Sequence, residues 1–235
     1  MPVERCADAR DLAQRAAEVL RSVSSVGIVG LPTGATPIAL YEELLRAGTA
    51  ESASAAYPRF VAVDEFVEPR GAVPGTNRAF FARHLPGVDV RCPDPAAADP
   101  ATEILGFAQE IRERGGLSLC VLGIGTNGHI AFNEPPSPVD APARVVELTA
   151  ESRQAHADAF GSPDAVPRLG MTLGVADILD AARILVLATG EAKAEVVARA
   201  IEDEPTADVP ASWLQLHPRV VWMLDTAAAS RLRRR

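Results

Sequence analysis

The 235 residues hold no apolar stretch long enough to cross a bilayer, and the N-terminal MPVERCADAR has no apolar signal core. A cytoplasmic protein with no membrane partner is expected. Cysteine is scarce: Cys6, Cys92 and Cys120 are odd in number and lack CxxC spacing. That argues against a disulfide framework or a zinc cluster and fits a reducing compartment. Positive charge is in deficit, with a formal net charge of −8 and a pI near 5.1. Such a balance disfavours nucleic acid and anionic membranes as partners, so an anionic small molecule has to be held by local groups. The basic run Arg231 to Arg235 reads as a solvated helix end, where cations suit the dipole. A linker, a composition shift and an internal repeat are all lacking, and low complexity is confined to the alanine-rich residues 95–100. One domain over residues 1–235 is the expectation.

What is present is an alternation of apolar, strand-like runs with amphipathic segments. Strands are predicted at 26–31, 59–64, 117–122, 144–148, 184–188 and 220–224. Helices are predicted at 8–21, 37–46, 76–84, 100–114, 150–159, 174–181 and 191–202. Nearly all-apolar strands between helices predict an α/β fold: a Rossmann-like three-layer α/β/α sandwich around a mostly parallel sheet. Such sheets bind ligands beyond the carboxyl ends of their strands.

Three predicted strand ends carry polar chemistry. After 117–122 comes GIGTNGHIAFNEP, Gly123 to Pro135, where Gly123, Gly125 and Gly128 permit sharp turns and His129 and Glu134 add an imidazole and a carboxylate. By itself a G-x-G string also fits an ordinary glycine-rich loop with a hydrogen-bonded histidine. After 26–31 comes Pro32-Thr-Gly-Ala-Thr-Pro37, which has no P-loop lysine; it reads equally as an anion site at a helix start or as a threonine cap. The third strand, 59–64, turns acidic at Asp64 and Glu65, which would face opposite ways if the strand persisted. One suits a general base, the other a solvated or helix-capping group. The three segments gain weight because they share one end of one sheet.

These residues carry a resemblance. Leu31-Pro-Thr-Gly-Ala-Thr-Pro37, Val63-Asp-Glu-Phe-Val67 and Gly123 to Pro135 are together similar to the glucosamine-6-phosphate deaminase family, with galactosamine-6-phosphate deaminase as a near relative. The match continues through Thr172-Leu-Gly174, Ile178-Leu-Asp-Ala181, Thr189-Gly-Glu-Ala-Lys193 and residues 211–218, covering about residues 10 to 225. Pro74-Gly-Thr76, Gly115-Gly-Leu117 and Pro210-Ala-Ser212 lean toward the galactosamine type. The sister 6-phosphogluconolactonases share the fold and the GxGxxGH turn. They typically follow the histidine with Ser-Leu-Phe-Pro, whereas this chain has Phe132-Asn-Glu-Pro135 and so a second carboxylate.

The resemblance implies conversion of a hexosamine 6-phosphate to a ketohexose 6-phosphate plus ammonia, with no cofactor and no metal. It implies Asp64 as the base moving a proton from C2 to C1, and His129 as the ring-opening acid/base with Glu134 setting its proton state and orientation. Thr33, Gly34, Ala35 and Thr36 are implied to hold the phosphate, with Lys193 as its cation. Asn127 stands where many members have an aspartate partnering the histidine, which removes a charge that would raise its basicity.

Asp158 falls where an arginine usually covers the phosphate, and His156, Arg153 and Arg168 are the nearby substitutes. Pro136-Ser-Pro138 replaces a serine pair, and Val146 and Glu147 lie where effector-binding groups often sit, which argues against allosteric control. A C-terminal segment supporting subunit contacts in longer members is lacking, so a monomer or small homo-oligomer is expected. Two alternatives stand beside the deaminase: a 6-phosphogluconolactonase-type hydrolase, and a non-catalytic sugar-phosphate sensor like the effector domains of some bacterial regulators. The absence of a preceding helix-turn-helix and the presence of Asp64, His129 and Glu134 favour an enzyme. His84 and His217 read as structural, and Trp213 and Trp222 as core or interface residues.

Overall fold

The computed structural model describes residues 2–46 and 59–233. Seven strands form a wholly parallel sheet in the order β1-β10-β9-β6-β2-β3-β5. They are β1 (Val3–Cys6), β2 (Ile28–Leu31), β3 (Arg59–Ala62), β5 (Val90–Arg91), β6 (Leu119–Gly123), β9 (Ile184–Ala188) and β10 (Val220–Asp225). Strands β1 and β5 escape sequence reading because four and two residues are too short to show a period.

The central strands are buried on both faces, and side-chain alternation builds two cores from one sheet. Val29, Leu31, Leu119, Val121, Leu185 and Leu187 meet helix α1 (Ala9–Arg21), helix α2 (Ile38–Arg46) and Phe81 of α3 (Asn77–His84). Ile28, Cys120, Leu122, Ile184, Val186 and Trp222 face the other way, toward α4 (Pro100–Glu113) and later helical segments. Helix α1 starts at Asp8, whose carboxylate accepts the N–H groups of Arg10 and Asp11, and Asp99 caps α4 in the same way. Its Leu12, Ala13, Ala16, Ala17 and Leu20 recur at helical spacing and are buried. The three-layer α/β/α expectation holds, with a main sheet more uniformly parallel than anticipated.

A second sheet was not foreseen. Strands β4 (Asp64–Phe66), β8 (Leu169–Thr172) and β7 (Arg144–Glu147) pair antiparallel in the order β4-β8-β7. The expected strand 59–64 therefore breaks at Val63. Its N–H donates to Leu31 of the main sheet, while its carbonyl accepts from Leu173 beside the small one. Phe66, Phe132, Leu148 and Val166 form a separate apolar cluster there.

The expected helix 150–159 is also divided, into α5 (Ala150–Ala155) and α6 (Ala157–Phe160), with α7 (Val175–Leu179) and α8 (Ala194–Glu202) following. Residues 226–231 form turns where a basic helix end was expected. Arg231 pairs with Glu195, and Arg233 with Glu202 and Asp203, so these cations are spent on α8 and the residue after it. Arg234 and Arg235 lie outside the described residues. Among the described residues no helix is long and apolar enough to cross a membrane.

Candidate active site

From β2 the chain proceeds to β3 and β5 on one side, and from β6 to β9 and β10 on the other. The switch point of this parallel sheet thus lies between β2 and β6. Parallel pairing sets the carboxyl ends of β2, β3, β6 and β9 along one edge, and all three polar segments emerge there.

Gly34 in the loop after β2 has φ +104°, and a β-carbon there would meet nothing within 4 Å, so the loop is open on that side. Tyr41, wholly buried in α2, anchors the loop by donating its hydroxyl to the Pro32 carbonyl at 2.5 Å. Thr36 Oγ1 lies 3.4 Å from Thr189 Oγ1, which brings the loops after β2 and β9 together. Lys193 closes the short 3-10 turn Glu191–Lys193, and burial lowers its pKa. Thr189, part of a matched motif but given no role from sequence, is therefore the contact between the two loops.

Asp64 is 6% exposed and Glu65 is fully buried. The strand breaks at Val63 and resumes as β4, and both carboxylates accept hydrogen bonds from the start of α3. Glu65 Oε1 accepts the N–H groups of Phe66 and Asn77 at 2.8 Å each, and Oε2 accepts that of Arg78 at 2.7 Å. It is the helix-capping member of the pair. Asp64 Oδ1 accepts a single amide hydrogen bond, from Asn77 Nδ2 at 2.6 Å. Burial, then the neighbouring Glu65, push the Asp64 pKa up to about 8 against the pull of Asn77; burial pushes Glu65 up to about 7 against its three backbone donors. Asn77 was missed from sequence. Its one visible signal is a polar residue directly after Thr76, whose hydroxyl accepts from Ala79 N–H as the α3 cap.

In the turn after β6, a β-carbon at position 125 would lie 2.2 Å from the His129 ring, so glycine there lets the imidazole rest on the backbone. Gly125 N–H donates to the His129 carbonyl, and Asn127 Oδ1 accepts the His129 backbone N–H at 3.1 Å. That backbone donor fixes Oδ1 as an acceptor. The 2.7 Å contact from the same oxygen to His129 Nδ1 therefore places the ring hydrogen on Nδ1 and leaves Nε2 with a lone pair. The ring's orientation comes from Asn127, not Glu134. Burial lowers the His129 pKa to about 4, with Glu134 opposing and Lys193 and His156 adding to the fall, so the ring is neutral near pH 7.

Glu134 Oε2 accepts Thr149 N–H at 3.2 Å, while Oε1 is buried without a hydrogen-bond partner. An orphaned carboxylate oxygen costs stability unless a ligand meets it. The motif around it is braced. Asn133 donates to the Ile130 and Leu173 carbonyls and accepts from Arg144; Ser137 donates to the Glu134 carbonyl. Trp213 Nε1 donates to Ser137 O at 2.9 Å, which gives that indole a bracing role, and Trp222 is core.

Asp158, at the position of the usual arginine, is exposed; of the named substitutes, Arg168 is exposed and the part-buried Arg153 donates to the Pro163 carbonyl at 3.5 Å. His156 alone among them turns inward, edge-on to Phe66 with centroids 5.2 Å apart and electrostatically coupled to Glu134. His217 is structural as expected, bridging Ala181 O and Arg219 N–H; His84 ends α3 against Phe80. Among the described residues, no group of three or more His, Cys, Asp or Glu is arranged to hold a metal ion.

Residues 5–222 match the family described as glucosamine-6-phosphate isomerases/6-phosphogluconolactonase. The chain belongs to that family. It is 36% identical over 241 residues to a glucosamine-6-phosphate deaminase of Geobacillus sp. (strain WCH70), covering 98% of this chain and 95% of the relative. A solved monomeric glucosamine-6-phosphate deaminase superposes with a TM-score of 0.90 at 32% identity, over 98% of this chain and all of that one. A 6-phosphogluconolactonase from Shewanella baltica OS155 superposes at 0.74 with 16% identity, over 96% and 98% of the two chains, a likeness of fold alone. The family contains both chemistries, so the choice between them falls to the site.

Proposed function

We propose that this family member is a hexosamine-6-phosphate deaminase, converting glucosamine 6-phosphate or galactosamine 6-phosphate to the ketohexose 6-phosphate and ammonia. The observation that carries the reading is the trio at one sheet edge: a buried Asp64 with one amide contact, a neutral His129 with a bare Nε2, and Glu134 with an orphaned buried oxygen. A lactonase, which only adds water to an ester, has no use for a base dedicated to a carbon acid. Relatives named as glucosamine-6-phosphate deaminases across 92–98% of the chain support the same choice.

In this reading the sugar phosphate rests on Thr33, Gly34, Ala35 and Thr36, with Lys193 as counter-charge. His129 Nε2 takes the proton of the anomeric hydroxyl and returns it to the ring oxygen, opening the ring. The Glu134 carboxylate favours the transient imidazolium electrostatically, and Asn127 keeps the ring aimed. Asp64 then removes the C2 proton while the C1 carbonyl oxygen gains one, giving an enolamine. Returning the proton to C1 leaves an iminium at C2, which water hydrolyses to the ketone and ammonia. A substrate ammonium beside Asp64 supplies a positive partner, absent among its protein neighbours, and lowers its pKa into the working range. Proton transfer and hydrolysis of this kind call for no redox or metal cofactor.

The test is a parallel assay of purified protein with glucosamine 6-phosphate, galactosamine 6-phosphate and 6-phosphogluconolactone. Ammonia release from either hexosamine phosphate is the expected result. Turnover of the lactone alone would overturn the reading, and binding without turnover would make the chain a sensor.

A further inference from the structure

We propose that Asn77 is a positioning residue that presents a single oxygen of the Asp64 carboxylate to the substrate and ties that carboxylate to the phosphate-binding loop. Its role in turnover rests on the deaminase reading; the linkage itself does not.

The side-chain amide of Asn77 is 2% exposed, and its orientation is determined by its partners. Nδ2 donates to the Asp64 backbone carbonyl at 2.9 Å, an atom that can only accept, and to Asp64 Oδ1 at 2.6 Å. The other end, Oδ1, therefore faces Thr33, whose hydroxyl must donate to it at 3.1 Å. The backbone N–H of Asn77 is held by Glu65, so the residue cannot drift along the helix start. Among the described residues Asp64 Oδ2 takes no hydrogen bond, and it is the oxygen left for a carbon-bound proton. The titratable groups around Asp64 are Glu65 on β4, Tyr41 on α2, Cys92 after β5 and Cys120 on β6, none of them a cation. Asn77 is thus the neighbour that favours the ionised form.

The linkage has a consequence at the loop. Thr33 has one hydroxyl proton, and in this state it is committed to Asn77. A phosphate oxygen that takes it leaves Asn77 Oδ1 without a donor, so occupancy of the loop is felt at Asp64, five residues beyond β3's first residue, through this amide. Removing the hydroxyl removes one of the two contacts that hold the amide in this orientation, the Asp64 carbonyl being the other. With the amide turned over, an oxygen would face Asp64 and ionisation would become harder.

The experiment follows the ¹³C carboxyl resonance of Asp64 against pH, assigned by its loss in Asp64→Asn, in wild type, Asn77→Ala and Thr33→Val. Kinetics with glucosamine 6-phosphate accompany it. Asn77→Ala is expected to raise the titration midpoint by about one unit, a tenfold change in proton affinity. It should lower kcat by about 10–100-fold with KM nearly unchanged, since positioning of a base is expressed in turnover. Thr33→Val is expected to raise the midpoint in the same direction by less, although its contact is with Asn77. An unmoved midpoint in either variant, with native circular dichroism and melting, would overturn the proposal. Asn77→Ser, a smaller residue that keeps a donor, replaces Asn77→Ala if that variant does not fold, with a smaller rise expected. Shifted midpoints in a protein that deaminates no hexosamine phosphate would remove the proposed activity and keep the linkage.

Discussion

The two halves of the site are mirror images in charge. On the β3–β4 side, burial and a neighbouring carboxylate lift Asp64 to about 8; on the β6 side, burial and nearby Lys193 and His156 press His129 down to about 4. The same desolvation acts on an acid and a base, so both groups favour the neutral form near pH 7. The difference lies in what each half waits for. Asp64 has carboxylate and thiol neighbours and no cation, and in the proposed reaction gains one from an amino sugar; His129 already has the Glu134 carboxylate nearby, and in that reaction takes a hydroxyl proton. On the proposed reading, a sugar phosphate lacking the amine would complete the second half and not the first, which would tie the carboxylate side to amine specificity.

The contrast breaks most severely on the acid side. Asp64→Asn is expected to cut ammonia release by about 10³-fold or more, with the circular dichroism spectrum unchanged, because no other carboxylate can reach the same carbon once Glu65 is spent on three N–H groups. Undiminished turnover would remove Asp64 as the base. His129→Gln is expected to lose about 10²-fold, less than Asp64→Asn because sugar rings also open unaided in water. Lys193→Ala should raise KM about tenfold and weaken inhibition by inorganic phosphate in parallel, leaving kcat nearly intact; a fall in kcat alone would move Lys193 out of the phosphate site.

Subtler changes sharpen the contrast. Asn127→Asp places a negative charge against Nδ1 and should raise the His129 pKa from about 4 toward neutrality, read by imidazole NMR. The smallest effect concerns stability. Between about pH 4 and 8 the unfolded chain has released the Asp64 proton that the folded chain retains, so this group costs progressively more stability as pH rises through that window. Asp64→Asn should therefore raise the melting temperature more at pH 9 than at pH 5, by about 2–4 °C for each kcal/mol relieved. His129 runs the other way. Its depressed pKa means stability is lost as pH falls from about 6.5 toward 4, a loss His129→Gln should blunt.

Long elements were legible because their periods were long enough to see. The central strands β2, β6, β9 and β10 read as apolar runs, and helices α1 and α4 carried both caps and stripes. Of the small sheet only β7 was legible, as the strand expected at 144–148: β4 continues directly from β3's sequence, and β8 includes Gly170, where a β-carbon would strike the Phe132 ring. That glycine looks like a loop signal in one dimension and is a packing requirement in three. Asn77 was illegible for a similar reason, since nothing near residue 77 in sequence announces Asp64 or Thr33 as its partners.

By itself the sequence determined the residue chemistry and the family: the glycine turn with its histidine and carboxylate, the acidic strand end, the threonine loop and the lysine. Tertiary structure decided which atoms of those residues remain free. Hydrogen bonds between residues 44, 12 and two positions apart tied Asn77 to Thr33, committed Glu65 to a helix and aimed Nε2 through Asn127, and left one oxygen on Asp64 and one on Glu134 unpaired. Reactivity follows from what is left unsatisfied when every other polar group has found a partner, and that remainder exists only once the chain is folded.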